Sequence, residues 1–349
     1  MTRETFVDGI DQLRSDILRI CGRLLESTDL TIDDDFFDKG GDSLLATELM
    51  LELRQLTGKA LPDSLLFESS TVRSLAQRLS EKETPRQKVA VRVGAASDGA
   101  TPLVFFHGDW TTGGFYLEHL ARKLGPEVSL IAVSPHGIRD EPIPPSIEDM
   151  AADRLPAILN AQPQGPYRLA GHCVGGIVAL ETARLLIDLG HKVEAVVMVD
   201  SPLMIAGEVS TYREAASGSG DARSHGLVAA SDDIPIIPDN FEDDSPEVWE
   251  RYGECLARYS PAPLPAPLLI FASEYDGRPW SRLSDNAELL ESRGGHFDWV
   301  TGRIDVLSDK LRSWLRSNRQ DASDDQGRAP QLATKTTGQQ AGPKEIESE

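Results

Sequence analysis

A single cysteine stands at a tight turn between a predicted strand and a predicted helix. An apolar run, Tyr167 to Ala170, leads into Gly171-His172-Cys173-Val174-Gly175-Gly176, and helix-forming residues follow from Ile177. The glycines relieve crowding where the chain turns, and backbone N–H groups at the start of the helix favour a thiolate. The pattern predicts a nucleophilic sulfur at Cys173. The alternative is that Cys173 is a small buried hydrophobe or an inactive replacement of a serine, since free cysteines are mostly buried.

The cysteine turn resembles the nucleophile elbow of α/β-hydrolases, with cysteine where serine is usual. In that family an acid and then a base follow the nucleophile along the chain. The resemblance implies Asp200, directly after the apolar run 196–199, as the acid, and His296, after two glycines, as the base. His296 would remove the thiol proton, and Asp200 would hold the imidazole in the required tautomer. Asp276 is the alternative acid, because many other α/β-hydrolases carry the acid after the next strand.

Acyl transfer of this type needs two backbone N–H groups aimed at the oxygen where negative charge develops. Val174, directly after the nucleophile, is expected to supply one. The second is expected from the loop after the apolar run 103–106, where Asp109 matches the donor position of the family and Trp110 is the alternative. This loop departs from the His-Pro-x-Gly-Gly pattern of the family. The carboxylate of Asp109 would be unfavourable beside an oxyanion unless it points away.

A second reactive position is a serine near the start of the chain. Ser43 follows Asp35-Phe-Phe-Asp-Lys-Gly-Gly-Asp and precedes leucines at helical spacing, so it opens a predicted helix. The segment resembles the attachment site of acyl and peptidyl carrier domains, which receive a covalent 4′-phosphopantetheine arm on this serine. The helix dipole would favour the added phosphate at the N-terminus of the helix. The alternative is that Ser43 is only a helix cap.

The elements that must position these residues divide the chain into an α domain and an α/β domain. Apolar residues at helical spacing predict a small helical bundle over residues 1–80, followed by a charged linker at 81–87, and the resemblance to carrier domains implies a four-helix-type bundle. Short apolar runs that alternate with helical stretches predict an α/β domain with a mostly parallel sheet over 88–316, and the resemblance of the cysteine turn implies the α/β-hydrolase fold. Clusters of glycine, serine and acidic residues at about 201–260 indicate a lid insertion. Residues 317–349 contain no aromatic residue, and we expect a disordered tail.

Charge and composition argue against several classes of protein. Among 349 residues, 56 are acidic and 35 are basic, so the chain with its net charge of −21 repels nucleic acids and anionic membranes. The N-terminus lacks a secretory signal and no long apolar run follows, so we expect a cytoplasmic protein. Cys21, Cys173 and Cys255 are too few and too scattered for a disulfide framework or a zinc site, and no metal is expected.

The region from about Lys88 to Leu315 resembles the thioesterase domains that end nonribosomal peptide and polyketide assembly lines. A carrier directly before it strengthens the match. The resemblance implies that an acyl or peptidyl thioester moves from the arm on Ser43 to Cys173 and is then released by hydrolysis, cyclisation or transfer to another nucleophile. It also implies two kinds of partner: a phosphopantetheinyl transferase, and upstream synthase modules or acyl-loading enzymes.

Two other functions fit the same residues. In the first, the carrier is fused to a non-catalytic docking module with a hydrolase-like fold, and Cys173 is unreactive. In the second, Ser43 is unmodified, and the chain is a free-standing cysteine hydrolase that acts on separate esters or thioesters.

Overall fold

The computed structural model describes residues 3–94, 97, 99–110, 113–138, 141–203 and 246–327. Within these residues, the N-terminal domain is helical, as predicted, and its apolar side chains form one core cluster around Leu49 and Leu75. The short third helix, between two predicted helices, lacked a pattern of its own in the sequence. The helices of this domain are α1 (Arg3–Leu24), α2 (Ser43–Thr57), α3 (Ser64–Glu68) and α4 (Val72–Ser80).

Local capping fixes the start of α2. The side chain of Asp42 accepts a hydrogen bond from the backbone N–H of Leu45 at 2.9 Å, which satisfies one of the free donors of the first turn. Gly58 ends the helix in the left-handed conformation, with φ of 63°. Ser43 is therefore the first residue of α2, as the sequence predicts.

The second domain is built on one sheet of seven strands in the order β1-β3-β2-β4-β5-β6-β7, within the described residues. Only β1 is antiparallel to its neighbour, and the other pairs are parallel. The central strands are apolar on both faces because helices cover both sides of the sheet. The strands are β1 (Ala90–Val93), β2 (Pro102–Phe106), β3 (Ser129–Val133), β4 (Tyr167–His172), β5 (Val193–Val199), β6 (Leu268–Ala272) and β7 (Ala287–Glu291).

Helices join the strands and complete the domain. α7 contacts β4 and β5 and packs beside α6, and the last helix packs on α5 across the other face of the sheet. No helix among the described residues is long and apolar enough to cross a membrane. The helices are α5 (Tyr116–Leu124), α6 (Ile147–Ala161), α7 (Val174–Asp188), α8 (Pro246–Arg258), α9 (Arg278–Ser281) and α10 (Ile304–Gly327).

Two expectations about the second domain need comment. The last part of the predicted lid at about 201–260 is a helix, α8. Residues 204–245 of the predicted lid lie outside the described residues. The predicted tail from 317 starts too early, because α10 continues to Gly327. The apolar stripe of α10 ends near Leu315, but extending a formed helix costs little, so polar residues continue it. Residues 328–349 lie outside the described part of the chain.

Candidate active site

Cys173 lies at the junction of β4 and α7 in a backbone conformation that side chains rarely adopt. Its φ is 57° and its ψ is −136°, and its N–H donates to the carbonyl oxygen of Val199 at 2.9 Å. A non-glycine residue held in such a conformation costs about 1–3 kcal/mol, which surrounding structure must offset. The residue is 2% exposed. The turn therefore fixes the sulfur at the N-terminus of α7.

The glycines of the turn allow the chain to pass very close to its neighbours. A Cβ atom at Gly175 would lie 2.2 Å from the carbonyl oxygen of Phe106, and one at Gly171 would lie 2.3 Å from that of Gly175. A Cβ at Gly176 would lie 2.1 Å from the Ser201 hydroxyl. Since real Cβ atoms do not approach backbone atoms so closely, Gly171 and Gly175 require glycine, whereas a side chain at Gly176 would displace the Ser201 hydroxyl.

Asp200 and His296 are joined by a buried hydrogen bond. The Nδ1 atom of His296 lies 2.8 Å from Oδ2 of Asp200. The other oxygen, Oδ1, accepts the backbone N–H groups of residues 273, 274 and 275 at 2.7, 3.0 and 3.2 Å. Burial alone would raise the pKa of Asp200, but the hydrogen bonds from His296 and these N–H groups lower it below its usual value. Asp200 is therefore a fixed, ionised acceptor that holds the proton of His296 on Nδ1.

The opposite nitrogen of His296 faces the cysteine. Its Nε2 is buried and makes no hydrogen bond with a nitrogen or oxygen of the described residues, and the Cys173 thiol is its polar neighbour. Burial alone would lower the pKa of His296, but the negative charge of nearby Cys173 and the hydrogen bond with Asp200 raise it to about 10. These interactions make the His296 imidazole a stronger proton acceptor.

Asp276, the alternative acid, lies elsewhere. Its carboxylate is exposed and accepts two hydrogen bonds from the Arg278 guanidinium, at 2.8 and 2.9 Å. Of the two candidate acids, Asp200 is the one that hydrogen-bonds His296.

The predicted donor loop lies against the cysteine turn. A Cβ atom at Gly108 would lie 2.6 Å from the carbonyl oxygen of His172 and 2.7 Å from the Cβ of Cys173. The next residue, Asp109, is buried, and its carbonyl oxygen accepts a hydrogen bond from the His107 ring at 3.2 Å. Val174, the other predicted donor, is the first residue of α7. The loop and the helix start therefore flank Cys173 together.

Trp110, the alternative donor, anchors the same loop to the end of the predicted lid. Its indole N–H donates to the carbonyl oxygen of His136 at 2.8 Å. Its ring meets Trp249 and Tyr252 of α8 edge to face, with centroids 4.9 and 4.8 Å apart. A half-buried aromatic cluster thus lies beside the loop next to the cysteine.

His172 has a role that the sequence did not assign. Its ring stacks on that of His296 with centroids 4.5 Å apart, and its Nε2–H donates to the backbone carbonyl of His296 at 3.0 Å. Burial and the charge of His296 lower the pKa of His172 to about 3, so the ring stays neutral. It supports the orientation of the His296 ring. The only signal in the sequence was its place next to Cys173.

Ser43 is partly exposed at the start of α2, far along the chain from the cysteine. Its hydroxyl makes no hydrogen bond with the described residues. The residue that caps the helix is Asp42. A Cβ atom at Gly41 would lie 2.4 Å from the Phe36 ring, so the chain segment that precedes Ser43 is tightly packed. The interpretation of Ser43 as only a cap has no support in this geometry.

Comparison with known families agrees with both halves of this description. Residues 11–79 match the family described as Phosphopantetheine attachment site, and residues 101–259 match the Thioesterase domain family. The chain combines a carrier domain with a thioesterase domain. The predicted fold, a helical carrier followed by an α/β-hydrolase domain, and the predicted cofactor, covalent 4′-phosphopantetheine, are confirmed.

Two curated relatives are far longer proteins than this chain. It is 32% identical over 202 residues to indigoidine synthase of Streptomyces lavendulae, which covers 57% of this chain and 16% of that protein. It is 36% identical over 176 residues to a dimodular nonribosomal peptide synthase of Bacillus subtilis, which covers 49% of this chain and 7% of that protein. A solved four-domain nonribosomal peptide synthetase bound to AMP and glycine shares the fold, with a TM-score of 0.52 and 24% identity, over 86% of this chain and 26% of that one.

The residues around Ser43 fit the phosphopantetheine arm. Ser43 is partly exposed, and its hydroxyl makes no hydrogen bond within the described part of the chain, as suits a modification site. The free N–H groups of the first turn of α2 suit the phosphate of the arm.

The carrier and thioesterase domains contact each other through the start of α5. Phe115 of the thioesterase domain packs between two carrier phenylalanines, with ring centroids 6.4 Å from Phe37 and 5.2 Å from Phe67. Arg122, two turns further along, pairs with Asp35 and Asp38 at 3.0 and 3.1 Å. These two acids belong to the segment that leads to Ser43, so the contact holds that segment against the thioesterase domain.

Glu118 lies between these contacts and is only 6% exposed. Burial raises its pKa from the ordinary 4.5 to about 7, and the neighbouring charge of Arg122 only partly offsets this. The domain boundary therefore contains a carboxyl group that titrates near neutral pH.

One group of side chains in the described residues has the composition of a metal site. His136, Glu141 and Asp153 each offer a ligand atom, and these atoms lie within 4.8 Å of one another. The buried Arg154 guanidinium already bonds both carboxylates, with distances of 2.7 to 3.1 Å. The Arg154 guanidinium therefore supplies the positive charge that these two carboxylates would otherwise take from a metal ion.

Proposed function

We propose that this chain receives an acyl or peptidyl group on a 4′-phosphopantetheine arm at Ser43, transfers it to Cys173, and releases it in natural-product biosynthesis. The observation that carries the proposal is the buried Asp200–His296 pair beside a cysteine at a strained turn. When bound, the arm supplies a thiol that holds the acyl group as a thioester.

The first half of the reaction transfers the acyl group to sulfur. His296 takes the thiol proton of Cys173 on Nε2, and the sulfur attacks the thioester carbonyl carbon. Backbone N–H groups of Val174 and Asp109 stabilise the resulting oxyanion. The oxyanion then collapses, the original carbon–sulfur bond breaks, and His296 returns its proton to the departing thiolate.

The second half of the reaction releases the group. An incoming water, amine, alcohol or thiol gives its proton to His296 and attacks the acyl carbon on Cys173. Asp200 stabilises the imidazolium that forms in each half. The Cys173 sulfur leaves and recovers the proton, so the enzyme returns to its starting state.

Sulfur in place of oxygen affects which release reactions are possible. Transfer from one thioester to another leaves the acyl group activated, whereas transfer to a serine would form a less reactive ester. Amide formation, ring closure and transfer to a second thiol or alcohol therefore become accessible besides hydrolysis. Cys173→Ser is expected to change the ratio of hydrolysed to transferred product.

The proposal requires partners for loading. A phosphopantetheinyl transferase would modify Ser43, and upstream synthase modules or acyl-loading enzymes would supply the acyl group. The much greater length of the relatives supports such modules, because this chain spans only 16% and 7% of two of them. We also propose a cytoplasmic location, where coenzyme A is available as the donor of the arm.

Intact mass spectrometry tests the proposal directly. The protein is loaded with an acyl-coenzyme A by a phosphopantetheinyl transferase, and the acyl mass is followed in wild type, Ser43→Ala and Cys173→Ala. We expect no loading of Ser43→Ala, acyl loss in wild type, and persistent acyl in Cys173→Ala. Cys255→Ala, which removes another buried thiol, is the matched control and should behave like wild type.

Two results would contradict the proposal. Equal acyl loss from wild type and Cys173→Ala would exclude the cysteine as the acceptor. Persistent acyl in both, across short, long and peptidyl groups, would instead favour a carrier with a non-catalytic docking module.

A further inference from the structure

Tyr116, the first residue of α5, has a hydroxyl group that the described structure leaves without a partner. The residue is 3% exposed, and its oxygen is buried and makes no hydrogen bond with any described residue. Buried polar groups in native proteins are nearly always paired, so an unpaired one calls for a missing partner. The helix start therefore holds a buried hydroxyl that makes no hydrogen bond in the described structure.

The position of the ring connects this hydroxyl to the active site. Tyr116 meets the His172 ring edge to face, with centroids 5.8 Å apart and an angle of 79° between the planes. His172 in turn stacks on His296, at 4.5 Å, and directly precedes Cys173 in the chain. The Nδ1 atom of His172 is also buried and makes no hydrogen bond with a described residue. Tyr116, His172 and His296 thus form a chain of contacting rings that ends beside the cysteine.

The Tyr116 hydroxyl is protonated at neutral pH. Burial raises its pKa well above the usual 10, and the charges of Asp109 and Cys173 add to the effect because both lie nearby. A neutral phenol can donate a hydrogen bond, and an incoming carbonyl oxygen is the acceptor that acyl transfer brings to this place.

We propose that the Tyr116 hydroxyl is a third donor of the active site, which hydrogen-bonds the carbonyl oxygen of the thioester and its oxyanion. The inference rests on the proposed function of Cys173. Tyr116 would act only in reactions that develop negative charge on oxygen.

The test compares two reactions of Cys173 that differ in this respect. Acylation by a small acyl N-acetylcysteamine thioester forms an oxyanion, whereas alkylation by iodoacetamide does not. Tyr116→Phe keeps the ring and removes the hydroxyl. We expect it to slow acylation by about 10- to 100-fold, at or below the range for one lost oxyanion donor, and to leave alkylation within about twofold.

Tyr167→Phe is the matched control. It also removes one buried hydroxyl from this domain, where it donates to the backbone carbonyl of Gln162 at 3.0 Å. We expect both of its rates to equal those of wild type.

Each other outcome overturns a different statement. If Tyr116→Phe is acylated as fast as an active wild type, Tyr116 is not a donor. If acylation and alkylation fall together, the hydroxyl supports the thiolate or the local structure, and the proposal is wrong. If wild type is alkylated but is never acylated by thioesters or by the loaded arm, the proposed function itself fails, and the role of Tyr116 with it.

Discussion

Removal of the buried charge of Glu118 should stabilise the didomain in a pH-dependent way. The unfolded chain ionises this group at its ordinary pKa of 4.5, whereas burial raises the folded value to about 7. Folding therefore opposes ionisation, and the penalty grows from about pH 4.5 until it is complete above pH 7. At about 1.4 kcal/mol for each tenfold change in proton affinity, the difference between 4.5 and about 7 corresponds to about 3 kcal/mol.

Glu118→Gln keeps the shape and removes the charge. We expect its free energy of unfolding, from urea denaturation, to exceed that of wild type by about 3 kcal/mol at pH 8 and by less than about 1 kcal/mol at pH 5. Glu127→Gln, at an exposed position of the same domain, is the control and should change little at either pH. Equal stability of wild type and Glu118→Gln at pH 8, or the same gain at both pH values, would refute the reasoning.

Two further changes test the acid and the domain contact. In Asp200→Asn, the side-chain oxygen would still accept the three backbone N–H groups, so the amide N–H₂ would face His296. The His296 ring must then accept this hydrogen bond on Nδ1 and carry its own proton on Nε2. Single-turnover acylation should fall by about 10²- to 10⁴-fold. Asp276→Asn should leave that rate unchanged, and a comparable loss there would reject the assignment. Arg122→Glu sets a third negative charge against two carrier acids, and should slow transfer from the loaded arm by about 3- to 10-fold while sparing a small free thioester. Arg316→Glu is its control, and equal rates from the loaded arm in wild type and Arg122→Glu would show that the contact does not guide transfer.

Local patterns predicted most of the fold because its central elements are buried on more than one side. A strand that is covered on both faces, such as β5, is apolar at nearly every position. This continuous run of apolar residues is visible in the sequence. β7 leaves no such run, since it begins and ends near glutamates at the half-exposed edge of the sheet. Its strand conformation comes from pairing with β6. This pairing is a long-range contact that the local sequence pattern does not predict.

The candidate site was predictable where its residues follow a fixed order along the chain. Cys173, Asp200 and His296 stand in such an order, with a glycine turn or a strand end before each. His172 and Tyr116 were not predictable in this way. The hydrogen bond of His172 reaches a residue 124 positions away, and the surroundings of Tyr116 depend on packing of loops that carry no shared pattern.

Phe115 belongs to one domain by sequence and to the other by packing. Its ring is 2% exposed and is part of the apolar cluster formed by the carrier helices. Burial of an aromatic ring of this size stabilises a small domain substantially, so the carrier gains part of its stability from its neighbour. Separation at the linker would expose Phe37 and Phe67 and leave the excised carrier less resistant to heat. In the intact chain, the two domains should melt as partners in one coupled transition.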